Sequence, residues 1–205
     1  MQRRHVLSTL MACGALAATP LLTACKPKTA SFDGVDITGA EYAKDFPLPD
    51  AHGKVRSISE FKGKVVAVFF GYTQCPDVCP TTLQELVEAK TLIGEQGHRL
   101  QGIFVSLDPQ RDTPEVLRAY AEAFDPDMVA LTGKPEQITA VAKDFKVFFK
   151  KVEGKQPGSY TLDHSAGLYL YDPNGRLRVY QRYGQGAQAL ANDARTLLTE
   201  AGNAA

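Results

Sequence analysis

The sequence predicts an α/β fold in which helices cover both faces of a mixed sheet. Three observations point there. Two apolar runs of strand length, Val65 to Phe70 and Gln101 to Leu107, have no polar alternation, as strands buried on both faces require. Proline-initiated amphipathic segments follow these runs. A hairpin and a closing helix complete the chain, which is the element order of a mixed sheet rather than of a bundle or a sandwich. The 205 residues suit one domain with an appended leader, enough to bury a core without disulfide support. Basic and acidic side chains balance at 23 each, which argues against a nucleic-acid binder.

The elements follow in order over residues 42–205, the expected domain. Between Asp45 and Phe61, Phe46 and Leu48 precede His52-Gly53-Lys54, and Val55 and Ile58 follow, so an N-terminal hairpin extension turning at Gly53 is expected. Lys64 to Phe70 is the first buried strand, and Gly71 to Cys79 is the loop leaving its C-terminal end. Pro80 suits the first position of a helix whose apolar stripe is Leu83, Leu86, Val87 and Ile93. Gln101 to Leu107 is the second strand and Asp108 to Thr113 a turn. Thr113-Pro114 then opens a helix as cap and first residue, with Leu117, Tyr120, Ala121 and Phe124 inward. Met128 to Leu131 is a short strand, and Pro135 begins a helix carrying Ile138, Val141, Ala142 and Phe145. Val147 to Val152 and Gly167 to Tyr171 read as strands, with a mobile loop expected from Lys150 through Ser159 to Tyr160. Asp172-Pro173-Asn174-Gly175 is a strong turn signal before the return strand Leu177 to Tyr183, and Ala187 to Leu198 closes the chain as a helix. This layout resembles a thioredoxin-like fold, although periodicity alone leaves other small α/β sandwiches open.

Residues 1–24 read as a targeting leader. Arg3 and Arg4 precede a largely apolar stretch from Val6 to Leu22, too weakly apolar for a membrane span and closely followed by small residues. Leu22-Thr23-Ala24-Cys25 resembles the lipobox of bacterial lipoproteins, which implies that Cys25 becomes the first mature residue and carries lipid. An ordinary signal peptide cut nearby is the plainer alternative. Arg3-Arg4 also resembles a twin-arginine signal, so the export route stays open. The expected organisation is a leader over 1–24, a lipidated N-terminus with a flexible polar tether over 25–41, and the domain beyond, placed in the periplasm of a bacterial envelope on either membrane.

The cysteines carry the chemistry. Cys13 leaves with the leader and Cys25 is assigned to lipid, so Cys75 and Cys79 are the remaining thiols. Two cysteines four apart enclose a loop too small to constrain an unfolded chain, which disfavours a purely structural disulfide. Cys75-Pro76-Asp77-Val78-Cys79-Pro80 lies between a buried strand and a helix start, where backbone N–H groups and the helix dipole favour thiolates. Two soft sulfurs turned to one point suit Cu(I), or exchange with a disulfide. Of the three histidines beyond the leader, His52 and His98 suit solvated surface positions. His164, in Asp163-His164-Ser165, enters a strand from the position where a thioredoxin places a proline beside its cysteine loop. Two sulfurs and one nitrogen make a low-coordinate Cu(I) site, which weak oxygen ligands would extend to Cu(II). Zinc is a poorer match, since the set lacks a fourth ligand.

The run Phe70-Gly71-Tyr72-Thr73-Gln74-Cys75-Pro76-Asp77-Val78-Cys79-Pro80 is joined by Val105-Ser106-Leu107-Asp108-Pro109-Gln110-Arg111-Asp112-Thr113-Pro114, Asp163-His164-Ser165 and Leu170-Tyr171-Asp172-Pro173-Asn174-Gly175. Together and in order, these pieces resemble the SCO/SenC family of copper-binding, thioredoxin-like proteins of cytochrome c oxidase assembly, over roughly residues 42 to 200. The resemblance implies copper ligands at Cys75, Cys79 and His164, one copper per chain, and delivery to the dinuclear copper centre of a terminal oxidase. It implies as partners the copper-centre subunit of that oxidase and a periplasmic copper donor or thiol reductant. The chain departs from many relatives by its lipidation signal, where they use an N-terminal membrane helix. Asp77 between the cysteines is a candidate for tuning the loop, Asp163 for orienting His164 or facing a partner, and Asp108, Arg111 and Asp112 for an ion-pair and cap network or a partner contact. A second reading is a membrane-tethered thiol–disulfide oxidoreductase in which Cys75 and Cys79 are catalytic, acting on the cysteines of the copper centre or of a copper chaperone. A peroxidase role is weaker, because the paired cysteines and His164 offer no reason for one reactive thiol.

Overall fold

In the computed structural model, which describes residues 31–203, the chain enters through a short edge strand, β1 (Val35–Asp36). The leader and Cys25 lie outside the described residues. Within 31–41, assigned above to the tether, the chain is bound to the domain instead. Val35 pairs with Tyr180, and the buried Asp193 carboxylate accepts the N–H groups of Asp33 at 2.7 Å and Gly34 at 2.9 Å. A side chain at Gly34 would not fit, since a Cβ would lie 2.5 Å from Val179 Cγ1.

β2 (Leu48–Pro49) and β3 (Val55–Arg56) form the expected hairpin, and Gly53 takes the left-handed conformation that its turn requires, φ +81°. A single 3₁₀ turn over Ile58–Phe61 is closed by a reciprocal Ser57–Glu60 cap. β4 (Val65–Gly71) follows, then α1 (Val78–Ile93), β5 (Leu100–Ser106), α2 (Pro114–Phe124), β6 (Val129–Leu131) and α3 (Pro135–Asp144). Thr113 caps α2 as expected, its hydroxyl accepting the Val116 N–H, with Pro114 in the first turn. Among the described residues, β7 (Phe149–Glu153) and β8 (Tyr160–His164) pair only with each other. Of the loop expected over 150–160, residues 154–159 remain as the turn of this hairpin, while residues 150–153 and Tyr160 are strand. β9 (Leu168–Tyr171), β10 (Leu177–Gln181) and α4 (Gly186–Asn203) complete the chain.

The main sheet has the order β1-β10-β9-β4-β5-β6, with β4, β5 and β6 parallel and β9 antiparallel to both β4 and β10. Every residue of β4 and β5 is buried. Because successive side chains point to opposite faces, both faces of the sheet are covered, and α1 packs beside α4 on one of them. This is a thioredoxin-like α/β architecture with added strands. Gly71 pairs with Ser106 at the ends of β4 and β5, so the β4–α1 and β5–α2 loops emerge side by side. The site lies there. No helix among the described residues is long and apolar enough to cross a membrane.

Candidate metal centre

α1 begins at Val78 with Asp77 as its N-cap residue, two positions earlier than the proline signal indicates. Pro80 still suits the first turn, where N–H groups have no intrahelical acceptor, so the missing donor costs nothing. The early start turns Cys79 inward, and its side chain is fully buried at the end of β4, while Cys75, in the loop, is half-buried. Gly71 makes the room: a Cβ there would stand 2.7 Å from Cys79 Sγ and 2.9 Å from Phe104 Cε2. Both cysteines are free thiols, and the Cys79 N–H donates to Cys75 Sγ at 3.4 Å.

His164 is the last residue of β8, and its Nε2 lies 3.5 Å from Cys79 Sγ. Cys75, Cys79 and His164 each offer one ligand atom, and the three atoms lie within 4.8 Å of one another. The imidazole orientation has a visible cause. Nδ1 lies 2.8 Å from the Ser165 carbonyl oxygen, which can only accept, so Nδ1 carries the proton and Nε2 faces the sulfurs with a free lone pair. The edges of Tyr72 and Phe69 enclose the ring, at centroid distances of 5.9 Å and 6.2 Å. Ser165 is itself fixed: its N–H donates to the Phe148 carbonyl at 2.9 Å and its hydroxyl accepts the Phe148 N–H at 3.0 Å.

Burial sets the electrostatics. It pushes the Cys79 thiol well above the ordinary thiol range, and hydrogen bonding with Cys75 adds to the rise. For Cys79, desolvation of the charged sulfur therefore opposes the thiolate expected at the helix start. Burial also lowers the His164 pKa, with the Ser165 carbonyl opposing, so the imidazole is neutral at pH 7. One neutral nitrogen and two sulfurs converge on one point, a donor set suited to a soft metal ion, and metal entry there expels thiol protons.

The neighbouring carboxylates divide by burial. Asp112 is buried and accepts from Ser106 Oγ at 2.6 Å, Thr73 Oγ1 at 2.6 Å and the Thr73 N–H at 3.1 Å. Desolvation raises its pKa, and its bonds tie the cysteine loop to the end of β5. Asp108 receives the Arg111 Nε–H and, at 2.8 Å, the Tyr160 hydroxyl. Arg111 Nη1 donates to Gln74 Oε1 and to the Tyr160 carbonyl, each at 3.0 Å. Of the network expected around Asp108, Arg111 and Asp112, Asp108 and Arg111 form the ion pair and Tyr160 joins them, while Asp112 bonds to Ser106 and Thr73 instead. Asp77 is exposed and its side chain makes no capping bond; its carbonyl accepts the Thr81 N–H and hydroxyl. Asp163 is exposed opposite Lys150, on the strand face away from His164. The orienting role suggested for it falls to the Ser165 carbonyl. Gly71, Thr73 and Ser165 went unassigned in sequence, because a vacant Cβ position and bonds through the main chain leave no residue pattern. His52 and His98 are remote from the cluster, His98 bonded locally to the Glu95 carbonyl.

The family model SCO1/SenC matches residues 35–199. A SCO2-like protein of Rickettsia felis is 38% identical over 177 residues, covering 83% of this chain and 84% of its own. The structure of Bradyrhizobium japonicum ScoI with copper bound is 40% identical, with a TM-score of 0.66, and the match covers 74% of this chain and 96% of that one. The solution structure of apo Sco1 from Thermus thermophilus is 37% identical, with a TM-score of 0.72, covering 83% and 99%.

Proposed function

Because the chain belongs to the SCO1/SenC family, we propose that it is a copper chaperone that carries one copper ion per chain and assists metallation of the dinuclear copper centre of a terminal oxidase. The convergence of Cys75 Sγ, Cys79 Sγ and His164 Nε2 within 4.8 Å carries this reading. Those three atoms are the ligands, and two sulfurs with one nitrogen favour Cu(I) as the cargo. The copper-bound relative at 40% identity supports it. The residues divide the work. Cys79 and Cys75 release their protons as the cargo enters, His164 is already deprotonated at Nε2, and the Ser165 carbonyl keeps the ring aimed. Cys75, the less buried of the two cysteines, is the natural point of entry and handover.

The partners in this reading are the copper-centre subunit of the oxidase and a periplasmic copper donor or thiol reductant. Cys25 bears the lipid after removal of residues 1–24, and the domain works in the periplasm close to the membrane that holds the oxidase. A second reading uses the same thiols. Cys79 N–H donates to Cys75 Sγ, so the two sulfurs lie near enough to serve as a dithiol reductant. In that step Cys75 and Cys79 give two electrons and two protons to a target disulfide and become a disulfide themselves.

An anaerobic Cu(I) titration of the chain from residue 26, against a competing chelator and alongside His164→Ala, tests the reading. One copper per chain, held at least tenfold more weakly by the variant, is expected. Binding indifferent to His164 overturns the three-ligand site and favours the reductant.

A further inference from the structure

β8 shows the two-residue alternation of a strand with one covered face: Tyr160, Leu162 and His164 turn inward, while Thr161 and Asp163 are exposed. Among the described residues its only strand partner is β7, in a two-stranded sheet separate from the main one. A lone hairpin has little stability of its own, so contacts along that inner face decide where His164 lies. The most extensively bonded of the three is Tyr160, at the end of β8 opposite the histidine. The Arg111 guanidinium lies on its ring, 3.5 Å from the centroid, and also faces the ring of Tyr72 at 5.6 Å. The same Arg111 reaches Gln74 in the cysteine loop, the Tyr160 carbonyl on β8 and Asp108 after β5. The Tyr160 hydroxyl returns to Asp108 at 2.8 Å. One side chain therefore joins the loop that bears Cys75 to the strand that bears His164.

We propose that Arg111 is a positioning residue that latches the β7–β8 hairpin over the cysteine loop through Tyr160 and Asp108, and so sets how fast the cargo leaves His164. The role in release rests on the copper reading above; the latch itself does not need it. A planar fork that stacks and donates in several directions at once is required, which a lysine cannot supply. When the latch is undone the hairpin loosens, and His164 on β8 is held less firmly against Cys79 while the main sheet stays intact.

Arg111→Lys, Tyr160→Leu and Tyr160→Phe in the full mature chain test the latch, with Lys151→Ala as a control. Lys151 also lies over the Tyr160 ring, at 4.2 Å, but its ion pair is with Glu153 in the same hairpin. The first measurement is amide hydrogen exchange without metal. Exchange across residues 149–164 is expected to quicken at least tenfold in Arg111→Lys and Tyr160→Leu, with β4 and β5 unchanged. Tyr160→Phe keeps the stacking and loses only the Asp108 bond, so it should restore most of the protection. The second measurement is stopped-flow transfer of Cu(I) to excess chelator, expected to be at least tenfold faster in the first two variants and within twofold in Lys151→Ala. Unchanged hairpin exchange overturns the latch. Faster exchange with unchanged release overturns its control of the cargo. A parent chain that binds no copper overturns the function instead, and the metal-free exchange experiment separates that failure from failure of the latch. Should Arg111→Lys fail to fold, the two Tyr160 variants carry the same comparison.

Discussion

The absence of a side chain at Gly71 decides where the Cys79 sulfur sits. The sulfur packs where a Cβ would be, so Gly71→Ala must displace Cys79 or Phe104, both buried. Overpacking of this kind costs about 1–3 kcal/mol, and the displaced sulfur should weaken Cu(I) binding at least tenfold in a chelator competition; parent-like affinity would show that the sulfur has another seat. The Cys79 thiol makes a second prediction. Its folded pKa is raised above the unfolded value of about 8.5. Above that pH the unfolded chain sheds a proton that the folded chain keeps, so this stabilisation is present below about pH 8.5 and lost as pH rises. Denaturant melts of the metal-free protein from pH 8.5 to 10 should show stability falling, by at most about 1.4 kcal/mol per pH unit for one thiol, and a shallower fall in Cys79→Ser. An equal slope in both would remove the thiol as the cause. His164 has the opposite sense: its lowered pKa makes the unfolded chain the better proton acceptor below about pH 6.5, so stability should drop on acidification through that point.

At the level of elements, strong local signals and long-range ones had different fates. The unbroken apolar run of β4 and the Thr113-Pro114 start of α2 stand in the structure almost as the sequence indicates, because burial on both faces and a side-chain cap are local to those residues. Cys75, Cys79 and His164 were legible as a group for a related reason: few residue types ligate soft metals, and the topology returns His164 to the cysteine loop. β8 was missed although Tyr-Thr-Leu-Asp-His alternates, since its polar residues and the lysines of β7 resemble a solvated loop, and its packing depends on Arg111 about fifty residues away. β1 is two residues long and has no period to read; its place rests on distant partners, among them the buried Asp193 carboxylate and the Gln185 side chain. Asp193→Ala removes the carboxylate acceptor of the Asp33 and Gly34 amides; Asp33 is exposed, so water takes up part of the loss and the cost is about 1 kcal/mol. The expected outcome is faster exchange of the Ile37 amide, which donates to the Arg178 carbonyl, with copper affinity within twofold of the parent. If the Ile37 amide stays protected, Asp193 does not hold the strand.

Across the whole molecule, the strand directions place the entering chain at the same end as the site. β10 is antiparallel to β9, which is antiparallel to β4, so Gln181 and Gly71 mark one end of the sheet. β1 runs against β10, with Val35 beside Tyr180 and Asp36 beside Val179, and therefore leads away from that end as the chain proceeds. The residues just before β1 lie at the cysteine end, where the Gln185 side chain donates to the Asp33 carbonyl. With lipid on Cys25, as proposed above, the six residues 26–31 span at most about 20 Å when fully extended. A tether that short, entering from that end, turns the metal pole toward the bilayer and the opposite pole, at Lys62 before β4, toward the aqueous space. This suits handover to a membrane-bound acceptor and can be measured directly. In lipidated protein on vesicles, with Cys75 and Cys79 replaced by serine so that a single introduced cysteine takes the label, a fluorophore at Arg182→Cys should be quenched by headgroup-labelled lipid at least twice as strongly as one at Lys62→Cys. Inserting twenty flexible residues after Cys25 should bring the two positions to equal quenching, because a long linker no longer transmits the geometry of β1. Equal quenching with the natural tether would mean that the domain tumbles freely at the surface and that the end of entry sets no orientation.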